Sequence, residues 1–69
     1  MTRPEKLLEK TKEIISNGEK ASAKKLSQEL DWIEQDTHRC LNILERKGKI
    51  RTDSKEFMGR KIRMVQVYR

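Results

Sequence analysis

The segment Leu41-Asn42-Ile43-Leu44-Glu45-Arg46-Lys47-Gly48-Lys49-Ile50 contains a change of period, and that change decides the fold. Leu41 and Leu44, with Thr37 and Cys40 before them, recur at the spacing of one helical face. Lys47-Gly48 then closes the helix. A cation suits the negative end of the helix dipole, and glycine takes the left-handed cap conformation. From Lys49 the pattern is that of strands. Ile50 begins a short strand, Asp53-Ser54 signal a turn, and a flexible tip runs to Gly59-Arg60. Ile62, Met64, Val65, Val67 and Tyr68 form a β-rich closing strand, so the hairpin covers about residues 49–68. The adjacency of Met64 and Val65 breaks strict alternation. Either a bulge sits there or both faces are partly covered.

Two more helices are legible upstream. Thr2-Arg3-Pro4-Glu5 has the capping-box pattern, and a proline in the first turn loses no needed N–H. Leu7, Leu8, Thr11, Ile14 and Ile15 share a face, and Asn17-Gly18 stops the run, which predicts a helix over about 3–16. Ser22 is a good N-cap for a short helix over about 22–30, with Ala23, Leu26 and Leu30 on its inner side. Ala21 can sit in a short extended stretch that pairs with the later hairpin. The third helix, about 34–47, has two candidate starts. Asp31 could be its N-cap, with Glu34 completing a capping box. Alternatively Asp31 is a left-handed turn residue and Ile33 takes the cap position, which the spacing favours although Ile is a poor cap. Trp32 reads as a plug between helices two and three, and Cys40 as a small inward-facing hydrophobe.

Composition sets the class. The 69 residues make one small domain, 33% apolar and 41% charged. Apolar residues recurring first at helical and then at strand spacing argue against disorder. A single cysteine excludes an internal disulfide and fits a reducing compartment. No apolar run is long enough to span a membrane, and the N-terminus lacks the apolar stretch of a signal peptide. A cytoplasmic protein, nucleoid-associated if it binds DNA, is the expectation. The net charge of +6 is unevenly placed. Residues 1–48 hold ten Lys/Arg and nine Asp/Glu, whereas residues 49–69 hold seven and two. A cationic ribbon on a nearly neutral helical body suits a polyanion.

The order helix, short helix, turn, longer helix, hairpin carries a resemblance. Leu26-Ser27-Gln28-Glu29-Leu30-Asp31-Trp32, Thr37-His38-Arg39-Cys40-Leu41 and Leu44 through Ile50 resemble the winged helix-turn-helix superfamily over nearly the whole chain. Residues 41–50 are similar to the end of the recognition helix and the first wing strand in small transcription regulators of bacteria, archaea and their viruses. The resemblance implies an α+β fold, a three-helix bundle with a C-terminal hairpin wing. It also implies a DNA-binding regulator with double-stranded DNA as partner, helix three in the major groove and the wing on the backbone or minor groove. The groove-facing positions it implies are Glu34, Gln35, His38, Arg39 and Asn42.

The chemistry of those positions is mixed. Gln35 and Asn42 suit adenine edges, and Arg39 can read guanine or hold a phosphate. Glu34 and Asp36 repel phosphates, and we read them as complements of the helix dipole. Helix three is then a weak binder alone, and the hairpin supplies much of the attraction. Its cations are Lys49, Arg51, Lys55, Arg60, Lys61, Arg63 and Arg69, more than the one or two that would blunt a sheet edge. Lys24 and Lys25 could meet a phosphate beside a helix N-terminus or form an ordinary solvated face. His38 is equally open between a DNA contact and plain surface. The reading requires the hairpin cations to project together toward the target that helix three approaches.

Other functions have less support. His38 and Cys40, the only residues of their kinds, point apart at i, i+2, and neither a third ligand at zinc spacing nor a glycine-rich phosphate loop is present. Catalysis, a metal, a cofactor and a small-molecule ligand are therefore not expected. The acidic third helix and Trp32 keep open a protein-docking winged-helix module of replication or transcription machinery. Lys47-Gly48-Lys49 and the helix spacing are also similar to winged helices that bind left-handed DNA. His38 and Asn42, however, replace that family's asparagine and tyrosine, and the paired prolines and tryptophan of its wing are missing. Oligomeric state stays open, since the closing strand Val65-Gln66-Val67-Tyr68 could pair across a two-fold axis in a homodimer.

Overall fold

The three helices among the described residues stop in the same way. A computed structural model describes residues 2–68, arranged as α1 (Arg3–Ser16), β1 (Ala21–Ser22), α2 (Ala23–Leu30), α3 (Glu34–Arg46), β2 (Ile50–Phe57) and β3 (Arg60–Val67). Arg69, one of the hairpin cations named above, lies outside the described residues. After α1 the Glu19 N–H donates to the Ile14 carbonyl and the Gly18 N–H to that of Ile15. After α3 the Lys49 N–H reaches Leu44 and the Gly48 N–H reaches Glu45. This is the Schellman pattern, and it needs a left-handed residue. Gly48 supplies φ +72°. After α2 that residue is Asp31, at φ 55°, with Trp32 N–H bonded to the Ser27 carbonyl. Asp31 is therefore the turn residue, and Ile33 takes the α3 cap position without a side-chain cap bond.

Gly48→Ala tests this stop. A Cβ at Gly48 would meet nothing within 4 Å, so only backbone strain changes. The variant is expected to lose about 1–2 kcal/mol of stability by urea unfolding. Asn in its place should recover much of that, because Asn tolerates the left-handed region.

The starts are capped as the sequence implies. Thr2 Oγ1 accepts from the Glu5 N–H and Ser22 Oγ from the Lys25 N–H. Ser22 thus sits before α2 rather than within it, and Lys47 caps α3 rather than ending it.

The strands form one antiparallel sheet of order β1-β3-β2. Ala21 pairs with Val65, and Thr52 pairs with the same Val65 from the other side. The closing strand is therefore the centre of the sheet, and at Met64 and Val65 both its edges are occupied. The β2–β3 register runs unbroken from Ile50↔Val67 to Phe57↔Arg60. No bulge interrupts it. Val65 is buried, while Met64 on the other face is half-covered.

Two features of the hairpin differ from the sequence reading. Asp53-Ser54 do not turn; they lie inside β2, opposite Met64 and Arg63. The tip is not a loose loop but the two residues Met58-Gly59, with φ 52° and 78°. With positive φ at both centres this is a type I′ turn, one of the two favoured two-residue hairpin turns. Gly59 provides one positive φ cheaply and Met58 is held there against preference, so the strands zip to their full length.

The core lies where the sheet meets the helices. Leu7, Leu26, Leu41 and Ile50 are fully buried, with Ile14, Ala21, Ala23, Cys40, Leu44 and Val65 around them. Leu8, Leu30, Trp32 and Val67 pack against this cluster. Buried hydroxyls are satisfied locally. Thr11 donates to the Leu7 carbonyl at 2.7 Å, and Ser27 and Thr37 lie 2.8 Å apart, linking α2 to α3. No helix among the described residues is long and apolar enough to cross a membrane.

Candidate functional site

The outer face of α3 follows from its inner one. Thr37, Cys40, Leu41 and Leu44 are buried. At 100° per residue the opposite stripe is Gln35, Arg39, Asn42 and Arg46, and all four are exposed. The sequence reading names the first three of these. It missed Arg46, although the i, i+4, i+7, i+11 spacing from Gln35 was there to be read.

The carboxylates of α3 leave that stripe. Asp36 faces α1, where Arg3 Nη1 donates to it at 3.1 Å. The same guanidinium sits 5.9 Å from the centre of the Trp32 ring, joining the start of α1 to the α2–α3 turn. Glu34 and His38 lie on the flank facing the hairpin, and Glu45 follows them two turns further along.

On that flank one side chain ties helix to hairpin. Arg63, on β3, is only 18% exposed. Its Nη2 donates to Asn42 Oδ1 at 2.9 Å and to Thr52 Oγ1 at 3.3 Å, its Nη1 lies 3.1 Å from His38 Nδ1, and Glu45 is 3.9 Å away. Arginine can only donate. The Asn42 oxygen must therefore face Arg63, and His38 must accept at Nδ1 and carry its proton on Nε2. Thr52 completes the clamp by donating its hydroxyl and its N–H to Glu45. The Glu45 carboxyl is held below its ordinary value, first by the Thr52 hydroxyl, against partial desolvation, then by the Thr52 amide and the Arg63 charge.

The clamp changes three sequence expectations. Arg63 is not a free cation but a strut between helix and hairpin. His38 is a half-buried acceptor in that strut. Asn42 has its oxygen engaged and presents an amide donor outward, a weaker match to the donor-and-acceptor edge of adenine than a free Asn.

The hairpin cations do not all project together, so the condition set by the sequence reading is met only in part. Strand alternation puts Arg51, Lys55 and Arg60 on one face and Lys61 and Arg63 on the other. Arg51 lies 3.9 Å from Asp53, and Lys49 precedes β2. Lys55, Arg60 and Lys61 have no carboxylate within ion-pair distance among the described residues, and all three lie near the tip, Lys61 on the face opposite the other two. Lys25 also departs from the expectation. Its ammonium binds Glu19 at 2.9 Å, and that hydrogen bond and charge raise its pKa against desolvation, with Glu29 adding a little. Lys24 has no such partner among the described residues. It helps line an open cleft of about 740 Å³, with Glu34 and His38 on the helix side and Phe57, Arg60 and Lys61 on the hairpin side.

Cys40 is inert in this setting. Burial pushes its thiol pKa up, outweighing the lowering by Arg3, with Asp36 adding to the rise.

The chain matches no family model, no curated protein and no solved structure.

Proposed function

We propose that this protein is a winged-helix DNA-binding protein, a transcription regulator that lays α3 in the major groove and sets its hairpin against the backbone. The observation that carries the reading is the carboxylate-free outer stripe Gln35, Arg39, Asn42 and Arg46, held beside the cleft by the Arg63 strut. The stripe has the donors that read base edges, and its two arginines suit guanine or phosphate. The phosphate set is smaller than charge counting suggests: Lys24, Arg39, Arg46, Lys55, Arg60 and Lys61.

The direction of Asp36 favours this reading over protein docking. With its charge turned to Arg3, Asp36 no longer opposes an approaching phosphate, and the acidic repulsion left at the start of α3 is that of Glu34 beside the cleft.

Titration of duplex DNA at several salt concentrations tests the proposal. With four to six phosphates contacted, log affinity is expected to fall against log salt with a slope of about −4 to −5. Arg60→Glu with Lys61→Glu should weaken binding to every sequence and flatten that slope. Changing Gln35 or Arg39 should alter preference among sequences. Absence of binding at low salt would remove the proposal.

A further inference from the structure

The hairpin tip combines three properties that folding does not require. Met58 is 87% exposed and Phe57 is 64% exposed, so two large apolar side chains stand together in solvent. Met58 also occupies a left-handed backbone position, φ 52°, in a turn where Asn is the ordinary choice. Neither residue belongs to the core cluster. Around them are the cations that have no carboxylate within ion-pair distance among the described residues. Lys55 and Arg60 lie on the Phe57 face, and Lys61 is on the other face, opposite Glu56. A methionine that opposes both its solvent and its backbone preference points to a role outside the fold.

We propose that Phe57-Met58 is an apolar wedge that enters the DNA minor groove and partly unstacks one base step, while Lys55, Arg60 and Lys61 hold the flanking phosphates. The inference rests on the DNA-binding reading above and adds to it an occupant and a deformation. Charge complementarity selects the occupant, because an apolar tip flanked by these cations on both faces meets phosphates on both sides only if it sits between two strands. The unbranched methionine side chain is slim and flexible enough to slip into a step. The short turn keeps it at the leading point. Pyrimidine–purine steps such as TA unstack most easily, so the wedge acts on sequence through DNA flexibility rather than through base hydrogen bonds.

Met58→Asn is the decisive variant, because its effects on folding and on binding have opposite signs. Asn suits the left-handed position, so the thermal midpoint should rise by about 2–4 °C. Affinity for a short duplex with one central TA step should fall roughly tenfold, and affinity for the same duplex with a stiff A-tract should change little. End-to-end energy transfer across the TA duplex should report a bend with the wild type and a straight duplex with the variant. A fluorescent adenine analogue at the step should brighten only with the wild type. Phe57→Ala should give an intermediate loss.

If wild type and Met58→Asn bind tightly and neither bends the duplex, the wedge is wrong while the DNA-binding reading stands. No binding of wild type to any duplex would remove both. Binding of wild type to anionic phospholipid vesicles, lost in Met58→Asn while DNA bending is unaffected, would overturn the wedge in favour of a membrane surface.

Discussion

Arg63→Ala is expected to lower the thermal midpoint by roughly 10 °C and to release the hairpin from α3. The side chain is mostly buried and reaches four partners on two elements, and its removal leaves them facing a hole. Hydrogen bonds to a charged donor contribute about 1.5–3 kcal/mol each when shielded, less where one partner is exposed, so a net loss of about 2 kcal/mol is expected. Arg63→Lys should recover less than half, because an ammonium cannot span the fork that His38, Asn42 and Thr52 define. Arg51→Ala is the control. Its exposed pair with Asp53 at 3.9 Å should be worth under about 0.5 kcal/mol. Thermal unfolding by circular dichroism checks the midpoints, and faster amide exchange at Ser54 and Lys61 checks the release. Equal midpoints for Arg63→Ala and Arg51→Ala would show that the strut does not hold the two elements together. Duplex affinity should fall with the clamp, because the tip cations would lose their fixed position relative to α3.

Acid should act on the same clamp, and its sign follows from Glu45. The folded carboxyl sits below the ordinary value of 4.5, with Thr52 the largest cause. The stabilisation is therefore complete above that value and is lost as pH falls through the lowered one. Glu45→Gln should be less stable than wild type at neutral pH and converge with it in acid.

Leu41→Ala is expected to remove about 3–5 kcal/mol, the largest effect of any single truncation proposed here. Leu41 is 0% exposed and sits in the cluster with Leu7, Leu26 and Ile50, from three other elements. Domains of this size are stabilised by only about 4–10 kcal/mol in total, so the variant should be substantially unfolded at body temperature. Ile43→Ala, two residues away but 38% exposed, should lose no more than about 1 kcal/mol. Urea midpoints separate the two. Similar losses at both positions would mean that α3 is seated on a different face, and the outer stripe would have to be redrawn.

That redrawing matters because the stripe was only partly legible in the sequence. The buried side of α3 is plain from Thr37, Cys40, Leu41 and Leu44, and the outer side follows by geometry. Arg46 lies on that outer side too, but the groove-facing positions implied by the resemblance stop at Asn42. The hairpin shows the converse error. Asp53-Ser54 look like a turn by residue type, yet continuous pairing with Met64 and Arg63 keeps them extended. The true turn contains a methionine that local preference would not place there.

Local rules therefore settled the three helices of the described residues from the sequence, while the hairpin turn escaped them. Caps, left-handed stops and the change of period at Gly48 involve neighbours a few residues apart, and short-range sterics and hydrogen bonding decide them. Tertiary structure alone decided which charges are free. Arg63 and Glu45, Arg3 and Asp36, and Lys25 and Glu19 are brought together by the docking of hairpin, helices and loop. Electrostatic strength depends on distance and burial, and neither is written in a count of lysines and arginines.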